Sequence, residues 1–319
     1  MWKTILRRFL VMIPQLFILS IMIFVLAQFM PGDPFTGLIT PDTDAATIER
    51  LREEAGLNDP VHIQYINWIK NAAKGDLGRS YTQQLPVTKV IGSRVANTFS
   101  LSLLSLVLMY AIALPLGIIA GRYNGSRIDK VITSYNFIAL AIPGFVLYLV
   151  MLLIFGYRLG WFPTSGTVST SGLTGITYML DRLYHMILPA LCYAVLTTTS
   201  TIQYLRNEIV DAKSQDYVRT ARSKGVPIKT VYNKHIFRNS LLPIAAFFGF
   251  QITGLLAGSV MIETVFAYPG MGSLFIDSVT QRDYSVMTAL VLLYGLLTLI
   301  GSLVSDIIMS IVDPRIRIE

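Results

Sequence analysis

Six stretches of this chain are each apolar enough, over about 20 residues, to cross the roughly 30 Å hydrocarbon layer of a bilayer as a helix. They run from Phe9 to Met30, Thr98 to Ala120, Val131 to Phe155, Met186 to Tyr204, Leu241 to Ile262 and Val286 to Met309. Nothing else in the sequence restricts the fold as much, because in lipid every backbone N–H and C=O must be satisfied within a helix or a closed barrel. The expected fold is therefore all-α, a polytopic membrane protein with six transmembrane helices. Only 14% of the residues are charged, against about 25% in soluble domains. Lys3, Arg7 and Arg8 precede the first apolar run as they would in a secretory signal. That run exceeds the roughly 7–15 residues of a signal core, and "AQFMPGDPF" offers no small-x-small cleavage site, so it reads as an uncleaved anchor.

Charge sets the expected orientation. With the N-terminus (residues 1–8) in the cytoplasm, the inside segments hold Lys3, Arg7, Arg8, Arg122, Arg127, Lys130, Arg206, Lys213, Arg315, Arg317 and the six basic residues between Arg219 and Arg238. That is the majority of the 26 Lys and Arg, as the positive-inside rule requires. Span one (9–30) then leads to an extracytoplasmic loop (31–97), followed by a transmembrane domain (98–309) with a cytoplasmic loop at 206–240 and a cytoplasmic C-terminus (310–319). The net charge of +7 reflects these loops, and no basic-aromatic groove pattern points to nucleic acid. The 31–97 loop reads as a small helical cap. One helix runs from about Asp44 to Ala55 and stops at Gly56; a second opens at Asn58 or Asp59 with Pro60 in its first turn, puts Val61, Tyr65, Trp68 and Ala72 on one face, and ends at Gly75. Such a cap either packs as a lid on the spans or presents a docking surface to an external partner.

Several chemistries find no support. There is no GxxxxGK[ST] phosphate cradle, and His62, His185 and His235 have no metal-ligand spacing. Cys192 is the sole cysteine, which excludes an intrachain disulfide. The "TSGTVSTSGLTG" run from Thr164 to Gly175 lies outside a span with no evident base, which argues against an intramembrane hydrolase. A channel or secondary carrier independent of ATP usually has ionisable groups deep in its spans, whereas Asp306 and Glu263 fall at or just beyond span ends. The polar groups inside spans are amides and hydroxyls. Asn136, Gln203, Gln251 and Thr253 are candidates to line a pathway, with hydrogen bonding between helices as the alternative. Pro14, Pro115, Pro143 and Pro189 are expected to kink their spans.

The stretch "DYVRTARSKGVPIKTVYNKHIFRNSLLP" from Asp216 to Pro243 is basic beyond what orientation needs, and it is patterned. Tyr217, Val218 and Ala221 precede a break at Gly225; Pro227 opens a second short helix with Ile228, Val231, Tyr232, His235 and Ile236 on one face. This is a knuckle between two spans. Its "RTARSKG" resembles the EAA-type motif of the permease subunits of ABC importers, with Gly225 in the place of the motif's glycine. Arg219 and Thr220 stand where the general motif has Glu and Ala, and "HIFRNSLLP" replaces a shorter ending; both features are characteristic of the dipeptide and oligopeptide permease branch. The same branch is resembled at "PGDP" (Pro31), "GLNDPVHIQYINW" (Gly56), "GDLGRSY" (Gly75), "LGWFPTSG" (Leu159), "ETVFAYPGMG" (Glu263), "RDYSV" (Arg282) and "DPRIR" (Asp313), so the likeness covers nearly the whole chain.

The resemblance implies a type I ABC importer permease fold and a subunit that carries peptides across the inner membrane of a prokaryote. It pairs with a second, homologous permease, two ABC ATPases and an extracytoplasmic peptide-binding protein, in contact with membrane lipid. ATP and magnesium would sit on the ATPases, leaving this chain without a cofactor and without catalysis of its own. Tyr217, Arg219, Thr220, Ala221, Arg222, Ser223, Lys224, Gly225, Val226 and Pro227 would form the coupling element against an ATPase. Nickel, glutathione and some oligosaccharide importers use similar permeases and are the alternative substrates.

Overall fold

The structure, a computed structural model, describes residues 2–29, 45–54, 56–242, 244, 248–249, 251, 254 and 260–312. In chain order its principal helices are α1 (Trp2–Gln28), α2 (Ala45–Glu54), α3 (Val61–Ala73), α4 (Val87–Arg122), α5 (Arg127–Ala141), α6 (Gly144–Met151), α7 (Gly175–Ser214), α8 (Asp216–Ser223), α9 (Val260–Val265), α10 (Met271–Thr280) and α11 (Tyr284–Val312). Among the described residues no extended element longer than an isolated bridge, Arg79 to Pro86, interrupts the helical architecture. Helices α1, α4, α7 and α11 each carry an apolar stretch long enough to span a membrane, and α5 with α6 and its continuation to Arg158 makes a fifth, bent one. The expected span from Leu241 to Ile262 lies largely outside the described residues, as do "PGDP" and "DPRIR".

Two expectations about the spans are corrected. The third, read as one helix from Val131 to Phe155, is broken, and α5 and α6 meet at 98°. Pro143 has no N–H to donate and its ring forces the preceding residue out of the helical region; Ile142 is accordingly extended, at φ −86° and ψ 122°. Pro14, Pro115 and Pro189, by contrast, lie inside continuous helices. The second and fourth spans are longer than hydropathy indicates. Helix α4 starts just after Pro86 rather than at Thr98, since Val87, Val90 and Ile91 are buried against Met271, Leu274, Val286 and Leu290. Helix α7 runs on through Ser214 because Leu205, Ile209 and Ala212 belong to a core shared with the following loop. Those added turns are amphipathic, and burial against protein holds them where lipid would not.

The bundle is centred on the α4–α7 pair. Their close approach requires a residue without a side chain at Gly121, where a Cβ would stand 2.7 Å from the Ile209 Cβ. Helix α1 lies outside, exposing Phe9, Leu10, Ile13, Phe17 and Ile18, a surface suited to lipid. The cap helices form as expected within a residue or two, and α3 docks on α1. Tyr65 shares a 2.8 Å hydrogen bond with Ser20, and Tyr65 and Trp68 pack against Phe24 at ring centroid distances of 5.4 and 5.9 Å. Val61 is exposed rather than part of that face.

Candidate functional site

The knuckle is built by a helix ending that demands its sequence. Helix α8 stops in a Schellman closure in which the Gly225 N–H donates to Arg222 O at 2.9 Å and the Val226 N–H to Ala221 O at 3.2 Å. That geometry puts the residue after the cap in the left-handed region, and Gly225 has φ +71°. Pro227 then starts the second leg, which runs through Ile228–Thr230, a wide π-type turn over Val231–Phe237, and Arg238–Ser240. Val218, Ala221, Val231, Tyr232 and Ile236 close into a small core with Leu205, Ile209 and Ala212 of α7.

The two faces separate differently from the sequence expectation. Ile228 is 72% exposed and so parts from Val231, Tyr232 and Ile236, which are buried, whereas Tyr217, 39% exposed, is on the surface with the other coupling candidates. Ala221, grouped with the partner-facing residues, is buried in the chain's own core. Arg219, Thr220, Arg222, Ser223, Lys224, Gly225 and Pro227 are exposed, and Val226 is half-buried. All six basic residues of the stretch are exposed. The result is a rigid protrusion whose rim is basic and whose tip is apolar at Ile228.

The knuckle is braced to the rest of the bundle by contacts the sequence does not advertise. Lys213 Nζ donates to the carbonyls of Gly121 and Arg122 at 2.5 and 2.6 Å, capping the end of α4 with a cation, where the helix dipole favours one. The Arg122 guanidinium lies over the Tyr232 ring, 5.0 Å from its centroid. Burial raises the Tyr232 phenol above its ordinary pKa and Arg122 partly offsets that. Next to these, Arg206 binds Asp129 in a two-point ion pair, Nε to Oδ1 at 2.6 Å and Nη2 to Oδ2 at 2.9 Å. The Gly125 N–H donates to the same carboxylate at 2.8 Å. These contacts join the knuckle and α7 to α4 and α5.

The four pathway candidates are not one group. Asn136 and Gln203 face each other across α5 and α7, amide nitrogen to amide oxygen at 3.5 Å. Gln251 instead accepts from the Tyr110 hydroxyl, and Thr253 lies outside the described residues. At the opposite end of the bundle, two carboxylates anchor segments singled out as motifs. Glu263, 1% exposed, accepts from the Thr98 hydroxyl at 2.8 Å and from the Ser273 N–H at 2.9 Å. Asp283, 2% exposed, gathers the Ser80 and Thr82 hydroxyls at 2.5 and 2.9 Å and the N–H groups of Tyr81 and Thr82. "GDLGRSY" and "RDYSV" are thus two halves of one joint.

Comparison with known proteins follows this architecture closely. The model of the family "Binding-protein-dependent transport system inner membrane component" matches residues 113–318, and the model of its N-terminal part matches residues 1–102. The chain is 40% identical to the oligopeptide transport system permease protein AppB of Bacillus subtilis (strain 168), over 98% of each sequence. It is 35% identical to the glutathione transport system permease protein GsiC of Escherichia coli (strain K12), over 99% of each. Among solved structures, a chain of the MetNI methionine ABC transporter in inward-facing conformations aligns with a TM-score of 0.55 at 15% identity, covering 71% of this chain and 97% of that one. At that identity the likeness is one of fold.

Proposed function

This chain belongs to the inner membrane components of binding-protein-dependent transport systems, and from that footing we propose that it is the permease subunit of an ABC importer of oligopeptides. The observation that carries the substrate class is the 40% identity with AppB along both full lengths. Glutathione, itself a short peptide, is the second reading, on the 35% identity with GsiC.

The coupling element in this reading is the knuckle from Tyr217 to Pro227. Its exposed basic rim and the Ile228 tip face an ATPase, and its buried core and the Lys213 and Arg206 contacts tie it to three helices. Closure of an ATPase dimer then moves those helices as a block, an equilibrium between two discrete packings rather than a continuous deformation. ATP and magnesium reside on the ATPases, consistent with the missing phosphate cradle in this sequence. A second permease completes the pathway, an extracytoplasmic binding protein delivers the peptide near the cap, and the apolar face of α1 meets lipid. The test is reconstitution. The complex with a second permease, two ATPases and a binding protein should accumulate peptide in proteoliposomes only with ATP, whereas this chain alone should show no specific nucleotide cross-linking. ATP-independent accumulation by the chain alone would overturn the reading.

Both termini lie in the cytoplasm in this arrangement, as the distribution of Lys and Arg favours. In intact cells a membrane-impermeant thiol reagent should label Lys74→Cys, an exposed site just past α3, and should not label Ser223→Cys on the knuckle. The reverse pattern would invert the topology.

A further inference from the structure

Polar groups from three separate segments converge on one cavity halfway along the bundle. Ser102 and Ser105 lie near the middle of α4, Tyr193 and Thr197 near the middle of α7, and Gln251 near the middle of the fifth apolar segment; together they line a space of about 160 Å³, room for several waters. Polar side chains at this depth are costly unless they have work to do. Some are satisfied internally: Ser105 donates to Leu101 O and Thr197 to Tyr193 O, both at 2.8 Å. Tyr110 donates to the Gln251 amide oxygen, which fixes that amide and leaves its nitrogen available. The Gln251 amide nitrogen and the hydroxyls of Ser102 and Tyr193 have no hydrogen-bond partner among the described residues.

The chemistry of this lining is selective. Among the described residues it contains no carboxylate, imidazole or ammonium group, so these residues offer no counter-charge to an ion and no hard ligand set to a divalent cation. It does offer donors and acceptors in several directions. A peptide main chain needs that and no more, because each of its units carries one N–H and one C=O whatever its side chain. Resting on the importer reading, we infer that this cavity is a station on the translocation path. There, Ser102, Tyr193 and Gln251 replace water around the backbone of a passing peptide.

The experiment uses the complete transporter in proteoliposomes, with tetra-alanine as transported probe and 2-sulfonatoethyl methanethiosulfonate as thiol reagent. Labelling is read on this chain, isolated from its partners after the reaction; in wild type its only thiol is the buried Cys192, which gives the background. Ser102→Cys should react roughly tenfold or more faster than wild type, as an accessible thiol does beside a buried one, and the modified complex should lose uptake while still hydrolysing ATP. Gln251→Leu, which keeps the bulk and removes the amide, should slow uptake about tenfold, the loss expected when a buried partner goes unpaired. If Ser102→Cys does not assemble, Thr197→Cys on the facing helix carries the same expectation. Background labelling in both nucleotide-free and vanadate-trapped complexes, or full uptake after complete modification, would remove the cavity from the path. Should wild type fail to carry tetra-alanine, the peptide assignment falls, and the labelling rates still decide whether the cavity is open to water.

Discussion

Gly225→Asp is expected to abolish peptide uptake while the protein remains in the membrane at normal abundance. The backbone at Gly225 is left-handed, and a Cβ built there meets nothing within 4 Å. Inside this chain the substitution therefore costs only the left-handed penalty of about 1–2 kcal/mol, set against a knuckle core of five buried side chains on the two legs. Orientation is not at risk, because Arg206 to Arg238 stays strongly positive with one acid added. What changes is the surface offered to the ATPase, which gains bulk and a negative charge at the turn. Two further variants separate strain from contact. Gly225→Asn tolerates the left-handed region without a charge, and Gly225→Ala adds strain with little bulk, so uptake should fall in the order Asn, Ala, Asp. Near-normal uptake by a stably assembled Gly225→Asp complex would take the turn out of the coupling contact.

The second large effect is expected from Arg206→Ala. It leaves the Asp129 carboxylate, 3% exposed, with the Gly125 N–H and the Thr133 hydroxyl but without the guanidinium that pairs with it. Breaking one partner of a buried pair costs roughly 3–5 kcal/mol, a large part of the marginal stability of a folded chain. The thermal transition of the detergent-solubilised protein should fall by roughly 5–8 °C, read by size-exclusion chromatography after heating. Asp129→Leu with Arg206→Met replaces both charges with apolar groups of similar volume and should recover much of the loss, since desolvation no longer has to be offset. If Arg206→Ala melts like wild type, the pair is not what fastens α5 to α7.

Hydropathy is a local property, and what depended on it was legible: the spans at α1, α4, α7 and α11, and the helical cap. The Gly225 turn was legible for a related reason, since a Schellman ending states its glycine and its helix within ten residues. Span ends at Val87 and Ser214 were not legible, because those turns owe their order to Leu290 on one side and Val218 on the other. Proline gave the plainest case. Pro143 breaks its helix while Pro14, Pro115 and Pro189 do not, and the residue type alone cannot distinguish them. Ion pairs and joints were invisible for a different reason. Asp129 and Arg206 are 77 residues apart and no periodicity relates them. Ile228 shares a face with Val231, Tyr232 and Ile236 only in a helix of ordinary pitch, whereas the leg it starts widens into a π-type turn.

The Asp283 joint has a consequence for how the chain is made. Ser80 and Asp283 are separated by 203 residues, and a chain grows from its N-terminus at about 5–20 residues per second. The Ser80–Thr82 segment therefore exists for at least ten seconds or so before its carboxylate partner is synthesised, with only the local hydrogen bonds of its own turn and water to serve it. Only when the start of the last span arrives does the turn gain its partner. The joint is in this sense a timestamp, a contact that no chain stopped short of Asp283 can make.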